Sequence, residues 1–144
     1  LTGKDYCLAM IGKIGVEKAD SILKKAITKE GVQELTKLWI DKEEWKKGRD
    51  KRDKEQVIVY IQGAAIDGLV NTGKKENWDI VEKLYNDPNQ AELRSKLVEA
   101  MAKKAFIADH NNDVEAFFRI DTQVMYRNLK PYLDKYSLRN NSNR

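Results

Sequence analysis

With 144 residues, two prolines, one cysteine and 35% charged residues, the chain is long enough to bury a core of its own, and a lone cysteine excludes an intramolecular disulfide scaffold. A formal net charge of +4 and a pI near 9.0 permit an anionic partner without demanding one. No apolar run approaches the roughly 20 residues that span a bilayer, so a soluble protein with no membrane partner is expected, and Cys7 as sole thiol fits a reducing intracellular compartment.

Beginning at Leu1 rather than methionine, the chain reads as a trimmed or partial polypeptide. Thr2 and Asp5 predict the cap of a first helix whose Tyr6, Cys7, Met10, Ile11 and Ile14 share one side, with Gly15 as its stop. The next segment gathers Val16, Ala19, Ile22, Leu23, Ala26 and Ile27 on one stripe and sends Lys18, Lys24 and Lys25 outward. Gly31 is read as closing that helix and opening another, in which Val32, Leu35, Leu38 and Trp39 face inward. Residues 42–54 are almost wholly charged apart from Trp45 and Gly48, which predicts a solvated connection.

A central helix is predicted over residues 54–71, with Asp50 or Asp53 as its N-cap. Val57, Ile58, Ile61, Ala64, Ala65, Gly68 and Leu69 form one broad apolar face, and Val59, Ile66 and Val70 a second on nearly the opposite side. Such a pattern belongs to a helix covered from two directions. After the stop at Asn71-Thr72-Gly73, Trp78, Ile80, Val81, Leu84 and Tyr85 share the face of a short helix. Asn86-Asp87-Pro88 ends it, with Asp87 as the next N-cap and Pro88 at the first helical position. The helix that follows, to about Ala108, is expected to bury Leu93, Leu97, Val98, Ala100, Met101 and Ala105. A polar turn over residues 109–113 precedes a helix carrying Val114, Phe117, Phe118, Val124 and Met125, and Pro131 predicts a break before a last short helix using Tyr132, Leu133 and Tyr136.

The unit from Trp78 to Ala105, with its Asn-Asp-Pro turn and the groups Glu92-Leu93-Arg94 and Glu99-Ala100-Met101, is similar to the helix-turn-helix unit of HEAT-type repeats. The likeness covers roughly a fifth of the chain. No neighbouring unit of equal spacing and no second Asp-Pro turn accompany it, so it is read as convergent turn chemistry.

The chemistry-bearing residues are few. His110 is the sole histidine, and a nucleophilic arrangement would need it beside Cys7 or a serine. Asp109, His110, Asp113 and Glu115 offer oxygen and nitrogen ligands, but without the glycine and spacing of a calcium loop they read as a polar interhelical turn, and no metal is expected. Asp121 falls inside an apolar stripe and must be paired, capped or neutral there. The isolated glycines form no phosphate cradle, so no cofactor is expected either.

One stretch stands out as a contact surface. Trp45 is surrounded by Lys46, Lys47, Arg49, Lys51, Arg52 and Lys54, a combination of cations and an aromatic ring that can meet nucleic-acid backbone and bases or anchor a protein. A second basic group, Lys103, Lys104, Arg119, Arg127 and Lys130, would join it only if the fold allowed. These residues together predict an all-α protein, a compact orthogonal or irregular bundle of six or seven helices forming a single domain over 1–138 with a flexible tail over 139–144. The expected role is a non-catalytic binding module for a protein partner or a second copy. RNA or DNA binding through segment 45–54 is the alternative, and a small hydrolase or toxin domain the second alternative.

Overall fold

In the computed structural model, which describes residues 17–40, 51–119 and 122–142, seven α-helices and one 3-10 turn follow each other without a strand among the described residues. They are α1 (Glu17–Ala26), α2 (Lys29–Ile40), α3 (Lys51–Asn71), α4 (Lys75–Asn86), the 3-10 turn Ala91–Leu93, α5 (Arg94–Asp109), α6 (Val114–Arg119) and α7 (Thr122–Ser142). The all-α class read from the periodicity is the one observed. The first expected helix, with Cys7, lies outside the described residues. Two compact units divide the chain, Leu1–Leu69 and Val70–Arg144.

Within the first unit, α1 and α2 join through a turn whose residue chemistry is local. The Thr28 hydroxyl accepts the Gly31 amide at 3.0 Å, the bond of an N-cap to the third helical residue, and itself donates to the Lys25 carbonyl at 3.2 Å. Thr28 therefore ends one helix and starts the next, and Gly31 lies inside α2 rather than at a helix stop. Its absent side chain matters: a Cβ there would overlap the Lys25 carbonyl oxygen and sit 2.7 Å from the carbonyl carbon. Lys25 also pairs with Glu34 across the hairpin.

Ala19, Leu23, Ala26 and Val32 are buried as the periodicity predicts, but Ile22 and Leu35 are 38% and 43% exposed. The periodicity places both on the inward stripe. A wheel fixes which direction a residue points, while its burial depends on how far the neighbouring element extends, and that length is not written in local periodicity.

The third helix has the two-sided character expected of it. Val57, Ile58, Ile61, Ala64, Ala65 and Leu69 are buried on one side, and Ile66 and Val70 are fully buried on the other, with Val59 half-buried. The helix starts at Lys51, so Asp53 is inside it rather than at its cap. Gln62, 4% exposed, gives its amide N–H to the carbonyl of Ile27, the residue that follows α1, at 2.8 Å.

In the second unit, the α3–α4 corner turns on Gly73, whose φ of +67° is the left-handed shape that glycine adopts at least cost after a helix end. The Val70 carbonyl accepts both the Gly73 amide at 3.1 Å and the Trp78 indole at 2.9 Å. Thr72 takes the Asn77 side-chain amide at 3.0 Å, holding that fully buried asparagine in place.

The α4–α5 corner departs from expectation. Asp87 does not cap a following α-helix: its carboxylate accepts the Asn89 amide at 2.9 Å and the Gln90 side chain at 3.1 Å, and the chain passes through the 3-10 turn before α5 begins at Arg94. An aspartate before proline suits an Asx turn as well as an N-cap, and here the two-residue reach prevailed. Arg94 then closes the corner by donating to the Tyr85 carbonyl and, at 2.8 Å, to the Asp87 carbonyl, a cation placed at the C-terminal end of α4.

The bond from the Asn89 amide, with help from Gln90 and the charge of Arg94, holds the Asp87 carboxyl below its ordinary value. A lowered folded-state value stabilises the fold above the unfolded value, near pH 4, and that contribution fades as pH falls through the folded value. Asp87→Asn keeps an acceptor but no charge. Urea unfolding at about pH 5 and about pH 3 is expected to show a smaller acid-induced loss for this variant than for the parent; equal losses would remove Asp87 from the acid response.

Towards the C-terminus, the described residues over the helix expected from Val114 to Met125 are helical, as α6 and the start of α7, and α7 continues through Pro131. Proline removes one bond, to the Arg127 carbonyl four residues back. Arg127 is exposed, so water can take that carbonyl's bond, and the break predicted from proline does not occur.

Candidate binding surfaces

Of the residues singled out from the sequence, Trp45, Lys46, Lys47 and Arg49 lie outside the described residues, as do the side chains of Lys51 and Arg52. The backbone of Lys51 and Arg52 forms the start of α3, and Lys54 is half-buried in its first turn. Among the described residues of the first unit, the large apolar residue most exposed is Tyr60, at 70%, on α3. Helical spacing aligns it with exposed Gln56 and half-buried Asp67, a polar strip between the two buried faces. No periodicity argument marked Tyr60, because a tyrosine flanked by apolar residues reads as core.

Several members of the second basic group have partners of their own. Lys103 bonds to Asn71 and lies 4.7 Å from the centre of the Phe117 ring, and Lys104 pairs with Glu82 at 3.1 Å. The Arg119 side chain lies outside the described residues. Arg127 and Lys130 remain exposed on α7, Lys130 with Asp134 at 3.0 Å four residues on.

The corner between α5 and α6 contains the histidine and carboxylates that invited a catalytic or metal reading. Asn111 and Asn112 both take left-handed backbone, with φ of 61° and 57°, so the chain reverses within two residues. The Asp113 carboxylate accepts the Ala116 amide at 3.1 Å and caps α6. The Asp109 carboxylate accepts the Tyr132 hydroxyl at 2.6 Å, and this bond holds the phenol above its usual range.

His110 stacks on Phe106 with ring centres 4.0 Å apart, and its Nδ1 lies 2.7 Å from the Phe106 carbonyl. Phe106, 2% exposed, also meets Phe117 and Tyr132 edge to face, at 5.8 and 6.1 Å between centres. Aspartates and histidine at this corner thus act as caps and latches for α5, α6 and α7. Among the described residues, no three His, Cys, Asp or Glu side chains gather in a way that could hold a metal ion. Asp121 and Cys7 lie outside the described residues. None of the described helices is long and apolar enough to cross a membrane.

No protein family, curated protein or solved structure matches this chain.

Proposed function

We propose that this protein is a non-catalytic, all-helical binding module whose first unit docks a protein partner or a second copy of the chain. The observation that supports this reading is Tyr60: a tyrosine 70% exposed at the middle of a helix otherwise buried on two sides. Tyrosine combines a large apolar ring with one polar tip and few rotamers, which makes it a frequent anchor of interfaces. Ile22 and Leu35 add exposed apolar area in the same unit. Trp45, with Lys46, Lys47, Arg49, Lys51, Arg52 and Lys54 preceding Tyr60 in the chain, would complete the contact.

Nucleic acid on segment 45–54 is the second reading: its six cations stand against two carboxylates, and the flanking Asp41, Glu43, Glu44 and Glu55 dilute the charge left for phosphates. Light scattering across a range of protein concentrations, with and without a nucleic-acid pool, tests the choice. The expected result is a mass that rises above 16.7 kDa with concentration and reverts in Tyr60→Ala, since truncating an anchor costs about 2 kcal/mol, or roughly thirtyfold in affinity. Mass that rises only on adding nucleic acid, or association unchanged in Tyr60→Ala, would overturn it.

A further inference from the structure

Positive charge is not spread evenly along the chain. The last helix, α7, carries Arg127, Lys130, Lys135 and Arg139 against Asp134 alone, which is three of the four excess charges of the whole protein. Among the described side chains of α7, residues 123–137, a narrow stripe is covered: Tyr136 is buried, and Met125, Leu129, Tyr132 and Leu133 are half-buried. Over the remaining arc, more than half the circumference, Gln123, Tyr126, Arg127, Lys130 and Lys135 are exposed, with Tyr126 at 67%.

We infer that this open face of α7 is a contact surface for single-stranded nucleic acid, with Arg127, Lys130 and Lys135 on the phosphates and Tyr126 stacking on a base. The chemistry is complementary on both counts. Phosphodiesters require cations whose field is not cancelled, and on α7 four cations stand against a single carboxylate. An exposed ring beside cations offers each base a face irrespective of its identity. Helical spacing places Lys130 four residues from Tyr126. The Lys130–Asp134 pair does not block the site, because both side chains are largely solvated, at 66% and 59%, and such a pair exchanges partners at little cost. Lys135 lies 5.7 Å from the centre of the Tyr136 ring while remaining exposed. This surface belongs to the second unit and stands independently of docking through Tyr60.

Fluorescence anisotropy with a labelled oligouridine, the matching oligodeoxythymidine and a duplex of equal length tests the inference on the full chain. Binding is expected for both single strands, more weakly for the duplex, with a slope of log affinity against log salt near −2, since each neutralised phosphate of a single strand contributes about −0.7. The combined variant Arg127→Gln, Lys130→Gln, Lys135→Gln should flatten that slope. Tyr126→Ala should weaken binding about tenfold with the slope unchanged, and Tyr126→Phe should retain it. Lys75→Gln, a solvated lysine on α4, is the control and should bind as the parent does. Absence of binding at low salt, an unchanged slope in the triple variant, or full affinity in Tyr126→Ala would each overturn the assignment. Circular dichroism of each variant, expected to match the parent because the altered side chains are exposed, separates loss of contact from loss of fold.

Discussion

Replacing Gly31 with alanine is expected to destabilise the first unit by about 3 kcal/mol or more, although the same exchange inside a helix ordinarily stabilises by about 1 kcal/mol. The sign is reversed by geometry. The added methyl would overlap the Lys25 carbonyl oxygen and stand 2.8 Å from the Thr28 hydroxyl oxygen. A flexible side chain could move aside, but a backbone carbonyl at the end of α1 cannot do so without opening the α1–α2 turn. That movement would break the Thr28 bonds on which the turn depends. Thermal unfolding followed by circular dichroism should place the midpoint roughly 10 °C lower. An alanine variant as stable as the parent would mean that the two helices are not so close at this point.

Phe106→Ala is expected to cost about 3 to 5 kcal/mol, the range for truncating a buried phenylalanine. Four rings converge here, those of Phe106, His110, Phe117 and Tyr132, so the cavity would be bordered by partners from α5, α6 and α7 that lose a common neighbour. Phe106→Leu keeps most of the volume and should cost under about 1.5 kcal/mol. It also gives a local test. His110 protons lie over the Phe106 ring and carry its ring-current shift, which should vanish in the leucine variant while the fold persists. Denaturant midpoints and the His110 resonances together check both statements; unchanged resonances would remove the stacked pair.

How far the fold was legible in the sequence depends on what each element obeys. α3 was readable because two apolar faces on a 3.6-residue period are an internal property of the segment, and Ile66 and Val70 are buried as that pattern required. Pro131 was misread because local propensity argues for a break, whereas a 21-residue helix with its missing bond on the solvated side tolerates one proline. Phe106 lies inside the helix predicted to about Ala108 but outside its expected core, which stops at Ala105 because the polar residues from Asp109 onward signal that the helix is ending. Tyr60 was passed over for the opposite reason, apolar neighbours. The basic segment around Trp45 was chosen by the density of its cations, but density is not field. On α7 four cations face one carboxylate, Asp134, whereas six carboxylates, Asp41, Glu43, Glu44, Asp50, Asp53 and Glu55, stand within and beside the Trp45 segment.

Two consecutive residues at positive φ, Asn111 and Asn112, also govern which changes the α5–α6 corner can absorb. A side chain branched at Cβ would be driven from the left-handed basin and would take the reversal with it, whatever its size or charge. Variation at these two positions is therefore filtered by torsional shape. Asn, Asp and Gly pass that filter, so a library randomised at this corner should return little else among its folded members.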